Sequence, residues 1–123
     1  MTIQVGDKIP EVTLGIMTES GPDVTSSKSL FDGKRVVVFG LPGAFTKTCS
    51  SQHLPGFVQH ANTIKAKGVD SIICLSVNDP WVMDAWGQDH GVGDKVVMIG
   101  DGALNFTKAA AIELDLSEKC YGV

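Results

Sequence analysis

The sequence predicts an α/β fold with helices packed on the faces of a parallel-type sheet. Three observations lead there. Apolar runs at Val36-Val37-Val38-Phe39, Ile72 to Val77 and Val96 to Ile99 alternate with segments of helical spacing. Gly and Pro punctuate the boundaries between them. The length of 123 residues fits one small domain over residues 1–123 and leaves no room for two.

The elements follow in order. Ile3 with Val5 and Val12 with Leu14 read as short strands. The polar stretch from Glu19 to Ser27 reads as a loop leading to Leu30-Phe31, and Asp32-Gly33 as a turn. The continuous run Val36 to Phe39 is typical of a strand buried on both faces. A loop from Gly40 to Lys47 carries Pro42, Gly43 and Thr46. Leu54, Phe57, Val58, Ala61 and Ile64 then recur at helical spacing, which predicts a helix from about Thr48 to Lys67. Pro55-Gly56 should kink it, because Pro55 lacks an N–H and its ring crowds the preceding turn. Gly68 is a stop signal. After the second apolar strand, Asp79 is a helix N-cap and Pro80 its first residue. Trp81, Val82, Ala85 and Trp86 supply that helix with an apolar stripe up to about His90. Asp101-Gly102 turns after the third strand, and Asn105 to Ala111 is helical.

Composition excludes several classes. Ten basic against fourteen acidic residues leave a net charge of −4 without a basic cluster, which disfavours nucleic acid as a partner. No stretch approaches the ~20 apolar residues of a membrane helix. The first residues show neither a basic n-region nor an apolar h-region, so the expected location is cytoplasmic. Cys49, Cys74 and Cys120 are odd in number and widely spaced, unlike a disulfide framework or a zinc site.

Cys49 falls in the first turn of a helix that follows a buried strand and a short loop. Unpaired N–H groups and the positive helix end there favour a thiolate, which is the nucleophilic form. Thr46, three residues earlier, offers a hydroxyl to that thiolate or to a bound oxygen. Pro42 stiffens the loop and shields the thiolate from water. The competing reading makes Cys49 a small core residue and Thr46 a capping hydroxyl. His53, four residues beyond Cys49, could form a Cys–His pair, but no Asn or Asp orienter accompanies it.

The pattern Pro-x-x-x-Thr-x-x-Cys, here Pro42, Thr46 and Cys49, resembles the active-site signature of peroxiredoxins. The surroundings are similar to the type II, peroxiredoxin-5-like branch. Matching segments include Val5-Gly6-Asp7-Lys8-Ile9-Pro10, His53-Leu54-Pro55-Gly56-Phe57, Ser76-Val77-Asn78-Asp79-Pro80 and Glu113-Leu114-Asp115-Leu116. The resemblance implies a thioredoxin-like fold, a central sheet flanked by helices, and a thiol-specific peroxidase. On that reading Cys49 attacks hydrogen peroxide or an alkyl hydroperoxide and becomes a sulfenic acid. Thr46 holds thiolate and peroxide, and Pro42 limits solvent access. Thioredoxin or the glutaredoxin/glutathione system supplies electrons, and no metal or organic cofactor is needed. A homodimer is implied through the face around the Pro42–Thr46 loop and the Asn78–Trp81 turn. His53 takes a structural or site-lining role.

The sequence departs from the family pattern at three places. Lys47 stands where a Pro is usual, and Ala111 where a Gly is usual. The chain ends at Val123, where members continue with an Arg-Ser-x-Arg segment, the last strands and a terminal helix. It therefore reads as C-terminally truncated, with the Val36–Phe39 strand at a sheet edge. Lower stability or a second chain over that edge is expected. The family's site arginine belongs to that segment. Arg35, the single arginine, stands at the start of the strand whose far end leads to Cys49, roughly 17–20 Å away. Cys74, 25 residues after Cys49, is either a resolving cysteine, as in some plant-type relatives, or a buried small hydrophobe. Cys120 reads as an exposed, incidental thiol. The alternative function is a non-catalytic thioredoxin-like module for dimerisation or thiol sensing.

Overall fold

The computed structural model describes residues 2–123. A hairpin opens the fold, formed by strands β1 (Thr13–Thr18) and β2 (Gly21–Ser26). Gly21 turns it at φ +111°, a value side-chain-bearing residues rarely adopt, and the Thr18 hydroxyl donates to the Gly21 carbonyl at 2.7 Å. Helix α1 (Ser27–Phe31) is capped by Ser26, whose hydroxyl accepts from the Lys28 N–H at 3.1 Å. Strands β3 (Val36–Gly40), β4 (Ser71–Ser76) and β5 (Val97–Gly100) complete a five-stranded sheet in the order β2-β1-β5-β4-β3.

The sheet is mixed, which corrects the parallel-type expectation. β3, β4 and β5 run parallel, but β1 is antiparallel to both β2 and β5. The hairpin is the reason: the polar stretch read as a loop pairs residue for residue with β1, from Thr13↔Ser26 to Thr18↔Gly21. Ladder hydrogen bonds need only backbone, so a polar, half-exposed edge strand carries no hydrophobic signature. β3 forms the opposite edge of the described sheet. It is not buried on both faces: Phe39 is buried while Val38 is 36% exposed.

β4 is the central buried strand. Ile72 and Cys74 point into one apolar cluster with Phe39, Cys49, Leu54, Met83 and Trp86. Ile73 and Leu75 point into another with Leu14, Ile99 and Phe106. The alternation puts helices on both faces and brings Cys49 into the first cluster.

The long helical track breaks differently from expectation. It begins with a π-helical turn, Cys49–His53, followed by α2 (Leu54–Gln59) and α3 (Ala61–Lys65). The Leu54 N–H reaches back five residues to the Cys49 carbonyl. Pro55 directly follows this turn in helical backbone, where its missing N–H and its ring disturb the ladder of the preceding turn, so the irregularity lies just upstream of it. The second break falls at His60, φ −101°. Gly68, at φ +93°, follows the end of the track as expected.

Helix α4 (Pro80–Asp89) starts as the sequence predicts, with the Asp79 carboxylate accepting from Val82 N–H at 2.8 Å. Its buried stripe is Met83, Trp86 and Gly87, whereas Trp81 and Ala85 face out. Helix α5 (Asn105–Ala109) is fixed by the buried Asp101. That carboxylate accepts from Phe106 N–H (3.1 Å), Thr107 N–H (2.8 Å) and the Thr107 hydroxyl (2.7 Å), which offsets its desolvation.

Two glycines set how closely the layers approach. A Cβ on Gly100 would lie 2.5 Å from the Asn78 carbonyl oxygen, and one on Gly15 would lie 2.7 Å from the Pro80 ring. Gly56, by contrast, faces open space. Gly100→Ala should therefore cost about 1–3 kcal/mol, since backbone must shift. Gly56→Ala should gain roughly 0.5–1 kcal/mol through helix propensity. Urea unfolding of the two variants measures both signs; a neutral Gly100→Ala would contradict the close approach.

Candidate active site

The site is assembled where β3 ends. Leu41 keeps one more sheet-like bond, its N–H donating to the Leu75 carbonyl at 3.3 Å. The chain then leaves the sheet through Pro42, buried Gly43 and Ala44. Phe45 adopts φ +63°, a left-handed conformation that costs a non-glycine residue about 1–2 kcal/mol. This turn lets the Thr46 carbonyl accept from the Ser50 N–H at 2.9 Å, and the helical track begins. Cys49 lies three residues past Thr46, in that first turn, and is only 6% exposed.

Its surroundings are mostly apolar. Cys49 packs in the cluster that holds Phe39, Leu54, Cys74 and Trp86, with Ala44 and Leu41 against it. The Trp86 indole N–H donates to the Ser50 hydroxyl at 3.0 Å and so ties α4 to the residue after Cys49. The Phe45 ring lies 6.4 Å from the Trp86 ring. His53 packs beside the stacked Phe39 and Phe57 rings, 5.1 Å from the first and 5.8 Å from the second. His60 is exposed, whereas His90 is half-buried edge-on against Trp86 at 5.7 Å.

Three sequence-predicted residues, Pro42, Thr46 and Cys49, come together on one loop-to-helix turn. The Thr46 hydroxyl donates to the Gly43 carbonyl at 2.7 Å rather than to the sulfur. The tight turn at Phe45 brings that carbonyl within reach. The oxygen lone pairs of Thr46 stay available, and its side chain is exposed. Pro42 is exposed on the same loop, as is Lys47 at the helix start. Arg35 stands at the opposite end of β3, where its N–H donates to the Asp70 carboxylate at 2.7 Å and its carbonyl accepts from Asp70 N–H at 2.7 Å. Cys120 is exposed.

Cys74 is fully buried in the middle of β4. Burial pushes its thiol up to about 12, and the nearby Cys49 charge pushes in the same direction. A thiol held that high is not a nucleophile near neutral pH. Both cysteines are free.

Sequence reasoning gave Asn78 only a turn. In the structure its side-chain oxygen accepts from Ala44 N–H at 2.9 Å and from the buried Ser76 hydroxyl at 2.8 Å. That hydroxyl also lies 3.2 Å from the Leu41 carbonyl. The available signal was an asparagine just past the C-terminal end of a buried strand, where open α/β sheets gather functional groups. A separate cavity of about 380 Å³ lies beside Pro42, with Leu41, Leu75, Val77, Ile112 and Leu114 in its wall; Cys49 is not among its lining residues. Among the described residues no three His, Cys, Asp or Glu side chains gather to hold a metal ion.

This geometry meets the comparisons with known proteins. The redoxin family model matches residues 4–121. The chain is 48% identical over 122 residues to peroxiredoxin-2B of Arabidopsis thaliana, covering 98% of this chain and 75% of that protein. The chain belongs to the peroxiredoxins, the thiol peroxidases of the redoxin family. It is 46% identical to the chloroplastic peroxiredoxin-2E of Arabidopsis thaliana, of which it spans 53%. The crystal structure of reduced Prx3 from Vibrio vulnificus in complex with hydrogen peroxide superimposes with a TM-score of 0.90 at 44% identity, over 94% of this chain and 72% of that one. These neighbours also establish the thioredoxin-like fold. The relatives include chloroplastic and mitochondrial proteins, so the family does not fix a compartment. Among the described residues no helix is long and apolar enough to cross a membrane.

The raised Cys74 thiol makes stability depend on alkaline pH. Below the ordinary value of 9.0 both folded and unfolded states keep the proton, and the fold has its full stability. Between there and about 12 only the unfolded state releases it, so stability falls as pH rises, by up to about 1.4 kcal/mol per pH unit from this group. Denaturant unfolding from pH 8 to 10.5 should show a shallower fall for Cys74→Ala than for the parent chain. Parallel slopes would refute the assignment to Cys74.

Proposed function

We propose that this chain reduces hydrogen peroxide and alkyl hydroperoxides through Cys49. The observation that carries the reading is the placement of Cys49: a nearly buried sulfur in the first helical turn, behind the Pro42–Thr46 loop. The likeness to a Vibrio protein crystallised with hydrogen peroxide supports it.

The step balances simply. The Cys49 thiolate attacks the terminal peroxide oxygen, an S–O bond forms and the O–O bond breaks. Sulfur is oxidised by two electrons to the sulfenic acid, and the leaving oxygen takes a proton and departs as water or alcohol. The start of a helix leaves N–H groups free, and their dipoles favour negative charge there. Thr46, with its hydrogen committed to Gly43, directs oxygen lone pairs outward and can accept from the peroxide hydroxyl. Pro42 limits solvent access to the sulfur in this reading.

Reduction requires an outside thiol. Cys74 keeps its proton near neutral pH and sits in a central strand, so in the folded state it does not resolve the sulfenic acid. A donor thiol attacks the oxidised sulfur, water leaves, and a second thiol of the donor system releases Cys49 as a disulfide forms between the two donor sulfurs. Thioredoxin and the glutaredoxin/glutathione system are the donors of this reading. At 6% exposure a protein donor cannot touch Cys49 in place, so the π-helical Cys49–His53 turn must open for this half of the cycle.

The chain also pairs with a second copy in this reading. Phe45, 54% exposed, and Trp81, 62% exposed, stand on segments that the Ala44–Asn78 bond ties together. Exposed aromatics next to a rigid loop are typical interface anchors.

Stopped-flow oxidation by hydrogen peroxide tests the reaction. The parent chain should react far faster than a free thiol, Cys49→Ser should be inert, and Cys74→Ala should turn over with an external thiol donor within about twofold of the parent. A parent rate equal to a free thiol would favour the thioredoxin-like binding module instead. Sedimentation velocity tests the pairing: Trp81→Glu should shift a dimer to monomer, and a parent chain that is monomeric at tens of micromolar would refute it.

A further inference from the structure

We infer that Asn78 is a positioning residue for the Cys49 reaction, holding the Leu41–Thr46 loop at a fixed place over the helix start. The inference deepens the peroxidase reading and rests on it.

Loop amides inside a protein need partners, and the Ala44 N–H has no strand to bond. Asn78 supplies the acceptor at 2.9 Å. The same oxygen takes the Ser76 hydroxyl at 2.8 Å, and that hydroxyl is shared with the Leu41 carbonyl at 3.2 Å. The first residue of the loop and its middle are thus tied to one polar pair at the end of β4. Ser76 is itself buried, so the pair is held in a dry setting where a lost bond is not replaced by water.

Asn78 has a fixed platform. Its carbonyl oxygen lies 2.5 Å from the place a Cβ on Gly100 would take and 3.5 Å from one on Gly102. The backbone of Asn78 is therefore pressed onto the end of β5. The order of support runs from β5 to Asn78, from Asn78 to Ala44, and from Ala44 through Thr46 to the turn that carries Cys49.

The consequence concerns alignment rather than nucleophilicity. Attack on a peroxide needs sulfur and both oxygens in line, and a misplacement of about 1 Å can cost on the order of 100-fold. Alkylation by a small electrophile makes no such demand on the Pro42–Thr46 loop. The ratio of the two rates isolates positioning from any change in thiolate population or stability.

The test measures rate constants of Cys49 with hydrogen peroxide and with iodoacetamide on the 123-residue chain, following the Cys49 peptide by mass spectrometry. Asn78→Ala should lower the peroxide-to-alkylation ratio by about 10- to 100-fold. Asn78→Asp keeps an oxygen at the accepting position and should hold the ratio within about threefold of the parent. The Ala44 amide should exchange faster in Asn78→Ala while the β4 amides stay protected. Should Asn78→Ala fail to fold, Ser76→Ala carries the test, since it frees Asn78 from its partner and must lower the ratio in the same direction. An unchanged ratio in the alanine variant that folds, or an equal loss in Asn78→Asp, overturns the inference. A parent chain no faster with peroxide than a free thiol overturns the peroxidase reading and this inference together; a fast parent with an insensitive ratio overturns this inference alone.

Discussion

The constraint on which the site depends is the crossing of two backbones at Gly100. The turn after β4 passes so close to the end of β5 that no side chain fits between them. Everything downstream inherits that distance. Asn78 is brought to the height of the neighbouring loop, Asp79 is placed to cap α4, and Pro80 is set against Gly15. Helix α4 in turn carries Trp86 beneath the reactive turn, where its indole N–H reaches Ser50. A missing methyl group in one strand thus governs the geometry of a cysteine that belongs to another element.

Burial of the two cysteines in one apolar cluster divides their chemistry. Cys49 sits at the margin, in the first turn of a helical track, next to a loop that meets solvent. Cys74 sits at the centre of the sheet, flanked by strands on both sides. Burial holds its proton, and a charge on Cys49 holds it more firmly. The burial that places Cys74 in the same cluster as Cys49 thus disfavours its thiolate.

Much of this was legible in the sequence, and what was not has physical causes. Pro42, Thr46 and Cys49 stand out through their short spacing, and the structure holds them on one loop-to-helix turn. Asp79-Pro80 and Gly68 mark helix ends because capping and left-handed turns are local events. The β2 strand was hidden because its ladder uses backbone alone and its side chains face water. The sequence places the break in the long helix at Pro55, and the structure puts a π turn in the residues just before it; the second break at His60 carries no proline or glycine to announce it. The stripe of α4 was misread because two tryptophans look equally apolar in a sequence, and only the sheet selects Trp86 over Trp81. Asn78 was read as a turn residue because its partner, Ala44, is 34 positions away.

The two halves of a peroxidase cycle make opposite demands, and the structure separates them along the chain. Peroxide attack needs a fixed loop, and the residues before Cys49 are fixed by bonds to Asn78 and Ser76, which the sheet supports. In the proposed cycle reduction needs the sulfur to come out, and the residues after Cys49 form a π turn with the i→i+5 bonding of that conformation. Cys49 stands at the boundary. Opening the Cys49–His53 turn breaks the bond from Leu54 N–H to the Cys49 carbonyl without touching the Ala44–Asn78 bond. In the proposed cycle, the bond that holds the loop thus lies outside the turn that has to open.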